Sequence, residues 1–148
     1  MHPPTTPQSR RRPILNTHIE FRVHGQPAPQ GSKRHVGGGR MIESSKKLPA
    51  WRKAVTETAR TVAPKQPLDC PVSVQAHFYL PRPQKPRFNV PAVHPDGDKL
   101  ARAVGDAIEA ADIIRNDSRI THWEIHKHYA DHTNPPGAHI TITTQEHK

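Results

Sequence analysis

The chain is 148 residues long, the size of one ordinary domain, with a formal net charge of +9 and a single cysteine, Cys70. That cysteine count excludes an internal disulfide framework and a four-thiolate zinc site and fits a reducing compartment, and no stretch approaches the roughly 20 apolar residues of a membrane-spanning helix. The positive balance points to a polyanionic partner, nucleic acid first, with a basic chain lacking any special ligand as the alternative; aromatics at 5% favour phosphate and shape contacts over base stacking along a single strand.

Residues 1–17 (MHPPTTPQSRRRPILNT) are rich in Pro, Thr and Arg and have no hydrophobic period, which predicts a flexible basic arm. No apolar run follows Arg10–Arg12, so the segment does not read as a secretory signal. Residues 18–148 are expected to form the one folded domain. Within it, His18–His24 alternates Ile19, Phe21 and Val23 against Glu20 and Arg22, the pattern of a half-buried strand. Gly25-Gln-Pro-Ala-Pro-Gln-Gly31 stops that strand. Ser32-Lys33-Arg34 and Gly37-Gly38-Gly39-Arg40 then read as a flexible basic loop, in which Lys33, Arg34 and Arg40 are either DNA phosphate contacts or solubilising charge.

Residues 47–63 read as a helix, with Trp51, Val55, Ala59 and Val62 on one stripe. Cys70–Leu80 alternates through Val72, Val74, Ala76 and Phe78 and predicts a second strand. Pro81–Pro95 holds five prolines and is a loop. Asp98–Ala111 is the second helix, and Thr121–Ala130 and Ala138–Thr144 are two closing strands. The order predicts an α/β domain, a small mixed β-sheet of about four strands against two main helices.

The segment from His94 to Ser118 carries the chemistry. Leu100, Ala103, Val104, Ala107, Ile108 and Ala111 make an unbroken apolar stripe, and at about 100° per residue Asp98, Arg102, Asp106 and Glu109 fall on the other face. Asp96 and Asp98 stand at the N-terminal edge, where an aspartate is also a natural cap. Two aspartates at i and i+2, with Asn116-Asp117 beyond the helix, exceed what capping needs, so capping and a carboxylate metal site both stand as readings. Phosphodiester hydrolysis gives such a site a purpose, because a hard divalent cation activates water and neutralises the scissile phosphate through oxygen ligands. Lys99 or Arg102 could steady that phosphate. A helix-loop-helix calcium hand fits worse: counted from Asp96, the sixth position is Ala101 and the twelfth is Ala107.

Pro95-Asp96-Gly97-Asp98-Lys99-Leu100-Ala101-Arg102, then Asp106-Ala107-Ile108, then Asn116-Asp117, resembles the RusA family of Holliday-junction resolvases. That family reads Pro-Asp-x-Asp-Asn-Leu-x-Lys, then Asp-Ala-Leu, then an Asp-Asp pair, with the same spacing from Asp98 to Asp117. Phe21–Arg34 resembles the family's opening strand and Gly-x-Pro-x-Pro-x-Gly turn, and Trp51-Arg52 the start of its first helix. The likeness spans roughly residues 18–144. It implies metal-binding acids at Asp96, Asp98 and Asp117, a catalytic cation at Arg102, and magnesium or manganese as cofactor. It also implies DNA contacts at Lys33, Arg34, Arg40, Lys99 and Arg102. A RusA-like homodimer placing paired nicks on a four-way DNA junction follows, in recombination and repair within the cytoplasm of a bacterium or phage-infected cell. Lys99 stands where the family has Asn, Arg102 where it has Lys, and Asn116 where it has Asp. A DNA-binding protein of the same fold that does not cut is therefore the competing reading, and a basic scaffold with no metal site a third.

His122, Glu124, His126 and His128 share a strand face opposite Trp123, Ile125 and Tyr129. A solvated face is the favoured reading over a zinc site, with DNA contact between the two. Trp51 reads as core, and Cys70, just before Pro71, as structural.

Overall fold

The computed structural model describes residues 17–31, 33–35, 41–43 and 46–144. The basic arm, apart from Thr17, lies outside them, as does Arg40.

Four strands form one mixed sheet in the order β1-β6-β4-β5. They are β1 (His18–His24), β4 (Val72–Leu80), β5 (Ile120–Tyr129) and β6 (Gly137–Thr144). β6 is antiparallel to both β1 and β4, whereas β4 and β5 run parallel. A parallel pair needs a long crossover, and here the crossover carries α2 (Gly97–Ala110). The other helix, α1 (Leu48–Arg60), packs on α2 and on β1. The expected four strands and two helices are therefore present, in the expected order.

Period-two alternation explains which sheet face is covered. Ile19, Phe21 and Val23 of β1, Val72, Val74, Ala76, Phe78 and Leu80 of β4, and Ala138, Ile140 and Ile142 of β6 all point into one core. Leu100, Ala103, Val104, Ala107 and Ile108 of α2 and Trp51, Val55 and Ala59 of α1 close it from above. Burying each large aliphatic side chain contributes about 1.5–3 kcal/mol. Thr17 joins the edge of the sheet, its N–H donating to Thr144 Oγ1 at 2.8 Å and its carbonyl accepting from Thr144 N at 3.0 Å.

Two expectations differ from the structure. The first helix ends at Arg60, so Val62 lies beyond it and is exposed rather than completing the stripe. The Thr61 hydroxyl donates to the Thr58 carbonyl at 2.7 Å, and Pro64 follows close behind. The stretch expected to be wholly flexible loop carries two short antiparallel strands, β2 (Lys33–His35) and β3 (Met41–Glu43). Three residues are too few to show a period, and the glycine run between the strands suggests only a loop. The side chains of Lys33 and Arg34 lie outside the described residues.

Candidate functional site

α2 presents Asp98, Arg102, Asp106 and Glu109 on the face away from its buried stripe, at i, i+4, i+8 and i+11. Asp98 lies in the first turn, where the helix dipole favours a negative charge. Asp96 occupies the N-cap position with extended backbone (φ −70°, ψ 143°), yet its side chain makes no capping hydrogen bond. Its carboxylate faces His94 Nδ1 at 3.1 Å instead. The cap reading thus does not account for the Asp96 side chain. The loop leading into Asp96 is anchored from β5, because Lys127 Nζ donates to the carbonyls of Val93 and Pro95, both at 2.8 Å.

Asp117 reaches α2 through a chain reversal. The helix ends at Ala110, Asp112 takes a left-handed conformation (φ 63°), and Ile113 N donates back to Ile108 O at 3.0 Å. Ile113 and Ile114 are buried, and Ile114 bridges to Leu68. Asn116 then caps a short 3₁₀ turn, Asp117–Arg119, its side-chain oxygen accepting from Ser118 N at 2.8 Å. Asn116 thus serves the turn, and an aspartate could cap there equally well. The turn sets Asp117 over the middle of α2, with its N–H donating to Glu109 Oε1 at 2.9 Å.

The outcome is a solvent-open cavity of about 330 Å³ between α2 and β5. Asp98, Arg102 and Asp117 stand on it with Ala101, Gly105, Ile120, Trp123 and Ile125. Of the four residues expected at the centre, three therefore come together, while Asp96 sits one residue before the helix and does not line the cavity. Burial pushes the Asp117 carboxyl above its ordinary range; Glu109 and Asp106 push it further, and Arg102 opposes them. Such crowding of acids beside a cation is typical of sites that take a counter-charge. Carboxylate oxygens are the donors a hard divalent ion wants, and magnesium needs only one or two of them, completing its shell with water and phosphate. Asp98 and Asp117 on one cavity fit that requirement. Among the described residues no three His, Cys, Asp or Glu side chains converge tightly enough to hold an ion alone.

Gln30 joins the site without having been expected there. Its N–H donates to the Lys99 carbonyl at 3.0 Å, and its side-chain amide donates to Asp106. Gly31 follows at φ +95°, so close to Arg102 that an added Cβ would lie 2.8 Å from Nη1. The Pro-rich turn after β1 therefore seats itself on the acidic face of α2. Asp106 and Glu109 carried a sequence signal, since they continue the spacing from Asp98; Gln30 carried only its place between a proline and a glycine. Trp123 and Ile125 as cavity walls had none, because alternation reads them only as core.

The uncovered sheet face carries the histidines. His77 stacks on His126 (4.5 Å between centroids) and on His128 (5.1 Å), and its Nδ1 is 2.9 Å from His128 Nε2. Glu124 pairs with His126 at 2.8 Å and Glu20 pairs with His18 and His139. The face is polar, hydrogen-bonded and partly buried by its own stacked rings.

Compared with known protein families, residues 24–143 match the one described as Endodeoxyribonuclease RusA. No curated protein matches the chain.

Proposed function

The chain belongs to the RusA family of endodeoxyribonucleases, and from that premise we propose that it is a magnesium-dependent enzyme resolving four-way DNA junctions by paired symmetric nicks, in recombination and repair. The observation that carries this reading is the cavity shared by Asp98, Arg102 and Asp117 on a chain of net charge +9. When bound, magnesium or manganese supplies an activated water and neutralises charge at the scissile phosphate. Asp98 and Asp117 would hold the ion, and Asp96, at the helix entrance, would have to turn from His94 to add a third carboxylate. Arg102 donates to the non-bridging phosphate oxygens and stabilises the charge that builds there. Asp106 accepts from Gln30 and, with Glu109, adds the negative charge that raises the Asp117 carboxyl. Lys99, Lys33, Arg34 and Arg40 contact flanking phosphates. A two-fold homodimer brings equivalent cavities to equivalent strands of the junction.

A protein that grips junctions without cutting is the second reading, favoured by Lys99 and Arg102 standing in place of the family's Asn and Lys. The test is incubation of a synthetic four-way junction, beside a linear duplex of the same sequence, with magnesium and with chelator. Paired nicks on the junction with magnesium alone support the enzyme. Tight binding without nicks supports the second reading.

A further inference from the structure

The cavity that bears the acids has a chemistry the acids do not explain. Asp98, Arg102 and Asp117 are suited to a phosphate and a cation, but the remaining walls are Ala101, Gly105, Ile120, Trp123 and Ile125. Apart from the indole N–H of Trp123, the side chains of those walls offer no donor to a phosphate and few partners to water. Trp123 is only half-buried, on the sheet face under α2 at the level of Val74, next to the edge of the sheet. The interior of α2 carries a glycine at this level, although alanine there would favour the helix. Gly105 faces Trp123 Cζ2, its Cβ site lying 3.5 Å away, and its missing side chain is part of the cavity's space.

A nucleotide has both of the faces that this cavity offers. Its phosphate is anionic, its base is flat and apolar on both faces, and the two are joined by a short sugar. A phosphate held at Asp98, Arg102 and Asp117 brings an adjoining base within reach of the indole. We infer that the Trp123 pocket receives one unstacked nucleobase flanking the scissile phosphate, a subsite that rests on the nuclease reading above. Base–aromatic stacking is sequence-tolerant and strong enough to count. Filling the pocket from an intact duplex first costs the unstacking of a base, whereas a base at a branch point has already lost part of its stack. The subsite therefore favours branched over linear DNA without reading sequence, and it lies on the same cavity as the cutting centre.

The test is a double-substitution cycle with the full chain. Trp123→Ala, Trp123→Phe and wild type are assayed on the intact junction and on junctions made abasic at each nucleotide flanking the cut in turn. The expected result is a roughly tenfold to hundredfold loss in kcat/KM for Trp123→Ala on the intact junction, partial rescue by Trp123→Phe, and no further loss for Trp123→Ala when one flanking base is absent. Losses that multiply on every substrate would mean that Trp123 acts only through packing, and would overturn the subsite. Gly105→Ala is the second variant: its new methyl meets nothing closer than 3.5 Å, so the helix keeps its place while the pocket narrows. It should show the same dependence on the flanking base, and indifference to that base would overturn the subsite. A Trp123→Ala protein that sediments as a monomer where wild type is a dimer would identify the groove as a protein interface and overturn the base pocket. Wild type that cuts no junction would overturn the nuclease reading itself, whereas wild-type cutting with multiplicative losses would overturn the subsite alone.

Discussion

Arg102 lies against a residue with no side chain. Gly31, at φ +95°, leaves the space that the guanidinium fills, and an added Cβ would come within 2.8 Å of Nη1. Gly31→Ala should therefore do two separable things. Its backbone strain should cost about 1–2 kcal/mol of stability, read as a lowered Tm. The displaced guanidinium should lower the cleavage rate on the order of a hundredfold, as loss of a transition-state donor does. Unchanged cleavage in a folded Gly31→Ala protein would contradict the role given to Arg102. At this scale the site was partly legible. Asp98, Arg102 and Asp117 could be picked out because their spacing is local or carried by a motif. Gln30 had only its place between a proline and a glycine to mark it, because its bond to Asp106 crosses 76 residues of sequence. The Asp96 side chain turns to His94 in the structure, an orientation that spacing along the chain does not carry.

The elements that carry the site are ordinary in their periods and unusual at their ends. α2 closes with Asp112 in the left-handed region (φ 63°), where glycine is the residue of least strain. Asp112→Gly should stabilise the fold by roughly 0.5–1 kcal/mol, seen as a higher denaturant midpoint at constant slope. The open face of the sheet adds a pH dependence. Burial first, and then His126, His128 and His139, hold His77 below its ordinary 6.5, and burial and then His126 do the same to His128. Glu124 opposes this at His77. A proton is thus bound less readily in the folded chain than in the unfolded one, so stability is full above about 6.5 and falls as the pH drops through it. Tm should decline on acidification from about pH 7.5 to about 5.5, and His77→Gln should flatten that decline; an unchanged slope would remove His77 from the cause. Long elements were legible because a dozen residues repeat a period: α2 is displaced by only one residue at each end from expectation. β2 and β3 were not, being three residues each. Nor was the end of α1, where Val62 continues the period but the backbone does not.

Taken whole, the molecule sets a small acidic centre within a chain of net charge +9. That contrast suits a protein that must hold a polyanion strongly while keeping a cation at one point. Binding to a four-way junction should weaken by about a thousandfold between roughly 50 and 200 mM salt, as counterion release requires of several phosphate contacts. A shallow salt slope would speak against a phosphate-led interface. The α/β class followed from element order, and the family from motifs spread over most of the chain, later matched over residues 24–143. What no pattern could show was the cavity, since it is made where a helix face, a turn and an edge strand meet. The measurement that bears most directly on its role is cleavage and binding by Asp117→Asn on one four-way junction with magnesium. Cutting should be lost while junction affinity stays within a few-fold of wild type. An Asp117→Asn protein that still makes paired nicks would place the nuclease centre elsewhere.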